Sequence, residues 1–241
     1  MDLWKILSEI KEECRFVDLS HSVSPETPHW TGFPDMRDNM FFSYEKDGFY
    51  ANEYQMVSQY GTHVDAPCHF IEGARSVDLI GPDEVFLPLC VIDISDKVLL
   101  DPDYAASIED LKGWEAEYGR IPNGAFVALR TDWSKRSDMD NFDDDGNKHY
   151  PAWGLETVRF LVESRNITAI GHETSDTDPP AVSSVKGYVA EQYLFEQQRY
   201  QIELLKNLDQ VPPAGAVIVC GFPAVKGGSG FTARCVAVCK Q

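Results

Sequence analysis

Gln59-Tyr60-Gly61-Thr62-His63-Val64-Asp65-Ala66-Pro67-Cys68-His69 is the stretch from which the rest of this 241-residue chain is best read. Its useful side chains all fall on odd numbers, Gln59, Gly61, His63, Asp65, Pro67 and His69, so in extended backbone they share one face. At a rise of about 3.3 Å per residue, the Cα atoms of His63 and Asp65 lie roughly 6.6 Å apart, near enough for both side chains to reach one ion. Along a straight strand His69 would sit about 20 Å from His63, too far to serve the same centre. The chain is therefore expected to bend. Gly61 tolerates unusual backbone angles and Pro67 cannot donate to a strand ladder, so the His-x-Asp pair is flanked by residues suited to a turn. Bent in this way, His69 stands beside the ion rather than on it.

An imidazole and a carboxylate form a borderline donor set for zinc, manganese or iron, and an open position lets bound water ionise near neutral pH. Imidazoles ordinarily titrate at about 6.5, which makes His69 the candidate general base. For an isolated His-x-Asp the blander reading would be preferred, with hydrogen-bonded sheet histidines and a turn aspartate, because short motifs match often by chance. The full eleven-residue context argues against it.

Outward from this stretch, short runs rich in β-branched residues alternate with a few helical segments, with no internal repeat. Strands are predicted over 16–19, 88–94, 125–130, 167–170, 216–220 and 232–239. Ser107-Ile108-Glu109-Asp110 has the form of a capping box and opens a helix ending near Gly119, and further helices are predicted over 155–164 and 188–197. Leu3, Ile6, Leu7 and Ile10 give residues 2–13 an amphipathic helical pattern. Strands outnumber helices, so a mixed α/β fold is expected rather than a regular doubly wound sheet, built as a single domain over residues 1–241.

Composition narrows the function. A net charge of -18 repels a polyphosphate backbone, and no basic stripe offsets it, so nucleic-acid binding is disfavoured. No run of about 18 apolar residues occurs and the start lacks signal-peptide features, which predicts a cytoplasmic protein without a membrane partner. The six cysteines show no C-x-x-C pair and read as reduced core filler. Asp138, Asp140, Asp143, Asp144 and Asp145 before Gly146 suggest a calcium loop. However, counting from Asn141, the twelfth position is Ala152 where a bidentate Glu is needed, so the run is read as a solvated loop.

The eleven residues closely resemble H-x-G-T-H-x-D-x-P-x-H, the signature of the cyclase family of metal-dependent hydrolases, which includes bacterial kynurenine formamidases and isatin hydrolases. Three further segments resemble the family in the same order. They are Val17-Asp18-Leu19-Ser20-His21 with Pro28-His29-Trp30, Gly171-His172-Glu173-Thr174-Ser175-Asp176-Thr177-Asp178, and Ile202-Glu203 followed by Asn207 to Pro212 and Lys226-Gly227-Gly228-Ser229-Gly230. The resemblance implies a swivelling β/β/α fold, metal ligands at His63 and Asp65, and a base at His69.

The chain departs from the signature at its first ligand position, which is Gln59 rather than His. An amide oxygen is a weaker, harder donor, which leaves open weak binding, a preference for manganese over zinc, or no binding at all. Where relatives place another His, Glu191 aligns, and Glu203 aligns with a metal-binding Glu of dinuclear relatives. On composition alone both read as exposed carboxylates. His172 is a further candidate for the missing imidazole or for substrate contact, and Trp30 and Phe33 for an aromatic substrate wall. Cys68, on the even face, is assigned to structure.

The expectation is thus a hydrolase that uses Mn2+ or Zn2+ to cleave a C–N bond in an amide, formamide or cyclic amide. Lactone or ester hydrolysis by the same centre, or a non-catalytic metal-linked binding protein, are the alternatives. The partner expected is a small-molecule substrate. A homo-oligomer, dimer or tetramer, is also expected, with the Leu3–Ile10 stripe at a subunit contact.

Overall fold

The computed structural model describes residues 1–241. Its organising feature is the two-sided apolar character of the middle strands. In Phe86–Asp93, Leu87, Leu89 and Val91 enter one core while Cys90 and Ile92 enter another. Phe126–Arg130 repeats this, with Phe126 and Ala128 opposite Val127 and Leu129. Strands buried on both faces are what a covered parallel sheet requires. These two and Ala169–His172 and Tyr200–Glu203 do run parallel in that spatial order.

Antiparallel strands extend the sheet on both sides. Ala216–Gly221, Arg234–Lys240 and Cys14–Asp18 follow one another beyond Phe86–Asp93. Beyond Tyr200–Glu203 come His63–Asp65 and then Gly230–Thr232, giving nine strands in all. Val64 and Ile202 from one end of the sheet share a core with Val17 and Ala237 from the other, so the sheet curls over its own face. The opposite face is covered by helices, with Leu111 and Trp114 of Ile108–Tyr118 and Leu194 and Phe195 of Val189–Glu196 packed against Val127 and Leu129. Each such side chain, fully buried, contributes about 1.5–3 kcal/mol. The curled sheet and its single helical layer form the expected mixed β/β/α arrangement.

The capping box is present: Ser107 Oγ accepts from Asp110 N at 3.3 Å and Asp110 Oδ2 from Ser107 N at 2.7 Å, and the helix ends at Gly119. Three sequence expectations need correction, and one element has no counterpart among them. The predicted 155–164 helix is α-helical only over Leu155–Arg159 and continues as a π-helical turn, Phe160–Ser164. The single strand predicted over 232–239 is two strands, because Ala233 N turns to Thr62 O and so divides them. The acidic run is not uniformly solvated, since Asp140 is buried and paired with Lys148 Nζ at 2.8 Å. A separate hairpin, Arg37–Phe42 with Ala51–Gln55, carries no clean alternation and escaped the reading.

The leading helix, Leu3–Glu13, is capped by Asp2 and buries no residue, leaving Leu3, Trp4 and Leu7 exposed. No helix is long and apolar enough to cross a membrane.

Candidate metal centre

The segment 59–69 bends at both predicted points. Gly61 adopts φ +63°, a left-handed conformation that a side chain would resist, and Pro67–His69 forms a 3-10 turn with Pro at its start. Within the segment His63–Asp65 forms the one strand, whose backbone is held on both edges. Gln201 pairs with Asp65 and Glu203 with His63 on one side, while Gly230 and Thr232 pair with the same two residues on the other. The sheet thereby brings Glu203 beside His63 despite their separation in sequence.

His63 Nδ1 lies 2.7 Å from Gly61 O. Donation from Nδ1 to that carbonyl fixes the tautomer and leaves Nε2 as a free donor pair, the usual second contact of a metal-ligating histidine. Nε2 lies 3.3 Å from Asp65 Oδ2 and 3.5 Å from Glu203 Oε2. One potential donor set is therefore His63, Asp65 and Glu203, all buried, with ligand atoms within 4.8 Å of one another. A second set, Asp65, His69 and Glu191, meets the same distance criterion and shares Asp65 with the first. His69 Nε2 is 4.0 Å from Asp65 Oδ1, and its side chain is 29% exposed where Asp65 is 2%. Both signature histidines line the cavity, and His69 is the more accessible of the two.

The site is a concentration of buried negative charge. Glu203 is pushed well above the usual carboxylate range by burial and by the neighbouring Asp65 and Glu191. Glu191 is raised by burial, then by Asp65, Asp176 and Asp178. Burial also raises Asp176 to about 6, although Tyr150 donates a 2.5 Å hydrogen bond to it. For His63, burial opposes the charged form, but the Asp65 carboxylate outweighs it and the imidazole is raised. Asp65 is itself held low: burial would raise it, and the charge of His63 prevails. Its Oδ1 is buried without a hydrogen-bond partner. A buried carboxylate oxygen in that state calls for a positive charge. An imidazole nitrogen with two carboxylates is a donor set that suits a divalent ion, so the residues fit a metal.

The remaining candidates distribute as follows. Gln59 lines the cavity, but its oxygen accepts from Ser58 Oγ while Nε2 donates to Ser229 Oγ at 3.0 Å and approaches His69 Nδ1 at 3.4 Å. Trp30 and Phe33 form an edge-on pair in the cavity wall, with ring centroids 5.0 Å apart. Glu191 lines the cavity and is fixed by Asp178, whose carboxylate accepts from Ala190 N at 2.8 Å and Glu191 N at 3.0 Å at the start of the helix. His172 is 1% exposed and does not line the cavity. It lies behind Glu203, 3.4 Å from Oε1, and burial lowers it to about 3.

The cavity has a volume of about 280 Å³ and is completed by Phe70, Ser175, Asp176 and Tyr188, none of which was singled out individually in the sequence. Asp176 and Ser175 lay within a recognised segment. Phe70 directly follows His69, but Tyr188 had no local signal.

The Cyclase family model matches residues 17–179. Isatin hydrolase from Roseibium aggregatum is 29% identical over 244 residues, covering 94% of this chain and 92% of that protein. Kynurenine formamidase from Bordetella pertussis is 25% identical over 196 residues, covering 80% and 82%. The structure of isatin hydrolase A from Labrenzia aggregata bound to benzyl benzoate superposes with a TM-score of 0.92 at 34% identity, covering 99% of each chain. With a family match over more than half its length and this agreement in fold, the chain belongs to the cyclase family of metal-dependent hydrolases.

Proposed function

We propose that this chain hydrolyses a C–N bond of an amide, formamide or cyclic amide, with a divalent ion held by His63, Asp65 and Glu203 and with His69 as general base. The observation that carries the reading is the contrast within one cavity. Three donors are buried and mutually close, while His69 stands at the edge of the same group and remains accessible. Similarity to an isatin hydrolase and a kynurenine formamidase supports C–N bonds as the target. One imidazole with two carboxylates is a hard donor set and favours Mn2+ over Zn2+.

When bound, the ion supplies Lewis acidity, polarising the scissile carbonyl and lowering the pKa of water. The protein's own groups do the rest. His69 Nε2 accepts the proton of the attacking water and returns it to the leaving nitrogen. Trp30, Phe33, Phe70 and Tyr188 offer flat apolar walls to a planar substrate and limit the approach of bulk water. Metal analysis of the purified protein, followed by a screen of N-formyl aromatics, cyclic imides and lactones, tests the reading. The expected result is a bound divalent metal and turnover of a C–N substrate that is lost on chelation and restored best by Mn2+. Turnover that survives complete metal removal would overturn it, and turnover of lactones alone would move the reaction to esters.

A further inference from the structure

Gln201 is fully buried, and its side-chain nitrogen sits among three carboxylates. Nε2 lies 2.8 Å from Glu203 Oε1, 2.9 Å from Glu191 Oε1 and 3.3 Å from Asp65 Oδ2. Its oxygen accepts a 2.5 Å hydrogen bond from Thr177 Oγ1. That contact sets the orientation of the amide: the hydroxyl has an acceptor to donate to, and reversing the amide would turn its oxygen towards three anionic oxygens. The backbone fixes the rest, since Gln201 is the direct antiparallel partner of Asp65 and shares a strand face with Glu203 two residues on.

We propose that Gln201 is a positioning residue for the metal centre, tying back one oxygen of each of Asp65, Glu191 and Glu203 so that their ligand atoms are presented to the ion. The inference rests on the reading that these groups hold metal. Two consequences of the geometry support it. The oxygens that Gln201 does not touch include Asp65 Oδ1, which faces His69, and Glu203 Oε2, which faces His63, while Asp65 Oδ2 is steadied between Gln201 and His63, 3.3 Å from each. An amide also has two N–H groups for three acceptors, so it relieves the mutual repulsion of the carboxylates without satisfying them. Its neutrality is essential to the role. A Lys or Arg at this place would neutralise the cluster and compete with the cation, whereas an acid would add a fourth negative charge. Thr177 acts through Gln201, by holding the amide in the donating orientation.

The test compares Mn2+ dissociation constants, measured by calorimetric titration of metal-stripped protein, for wild type, Gln201→Met, Thr177→Val and the double variant. Loss of an outer-shell partner typically weakens metal binding roughly 10- to 100-fold. Gln201→Met is expected to fall in that range and Thr177→Val to lose less. The double variant is expected to bind no more weakly than Gln201→Met alone, because Thr177 has nothing left to orient. Thr177→Val also keeps the proposal open to refutation if Gln201→Met fails to fold, since unchanged affinity in that variant overturns the relay. Wild-type affinity in Gln201→Met, or additive losses in the double variant, would overturn the proposal while leaving the metal reading intact. Failure of wild type to take up Mn2+ or Zn2+ would overturn both.

Discussion

Gly230→Ala is the most informative single-atom perturbation of this site. A Cβ built on Gly230 lies 2.4 Å from Val64 O, 2.7 Å from Gln59 Nε2 and 3.0 Å from Asp65 Oδ1. Ordinary contact begins at 3.4 Å, so the shortfall against a backbone atom is about 1 Å. The nearest obstacle belongs to the strand carrying His63 and Asp65, so relief requires the two strands to separate. A shift of that size would stretch the adjacent 2.8 Å hydrogen bond from Ala66 N to Ser229 O beyond useful length. Overpacking of this kind costs about 1–3 kcal/mol and each lost backbone bond about 1 kcal/mol, so a destabilisation of roughly 2–4 kcal/mol is expected. Urea denaturation of the metal-free protein measures it, and a Mn2+ titration reports the accompanying displacement of Asp65, expected to weaken binding at least tenfold. A variant that unfolds within about 0.5 kcal/mol of wild type and binds Mn2+ equally well would refute the reasoning.

His63→Ala and Asp65→Ala are expected to abolish metal retention, whereas His69→Ala keeps the metal and loses turnover. Equal metal loss in all three would instead make His69 a ligand, completing the Asp65–Glu191 set. His149 pairs with Asp103 at 2.6 Å and Asp143 at 3.3 Å, and these hydrogen bonds, Asp103 first, raise its pKa above 6.5. A raised imidazole contributes its tie below the ordinary value and loses it as pH climbs through the raised one. Proteolysis of the 137–150 loop should therefore be faster at about pH 9 than at about pH 6, and His149→Gln should flatten that difference. Finally, we propose that the protein is a homo-oligomer whose contact covers the exposed Leu3, Trp4 and Leu7. Light scattering that returns the 27.1 kDa monomer mass would sink this idea, and an intact oligomer in a chain beginning at Phe16 would remove only the helix from it.

The bend around the signature was legible because Gly61 and Pro67 act through their own backbones. The capping box at Ser107 was legible because its side-chain bonds link residues only three apart in sequence. Parity served only where the chain is extended: it holds for His63 and Asp65 but lapses in the 3-10 turn, so it says nothing about Cys68 or His69. Cys68 packs against the core with its thiol 3.5 Å from Gly228 O. Composition alone suggested exposed positions for Glu191 and Glu203, yet they are 3% and 5% exposed, because strand pairing and the Asp178 cap carry them inward. Gln201 had no local signal at all. Its meaning arises from a neighbour 136 residues away.

That distance bears on how the protein comes to exist in the cell. The strand His63–Asp65 is made early, but both its hydrogen-bonding partners come late, from Tyr200–Glu203 and Gly230–Thr232. On the ribosome this three-residue segment must wait with both edges bare until residue 203 has emerged, and with one edge bare until residue 232. Pairings of such long range are intrinsically slow to form. A nascent chain can therefore offer an ion only the unsupported His63 and Asp65 pair, without Glu203, and completion of the metal centre becomes one of the final events of folding.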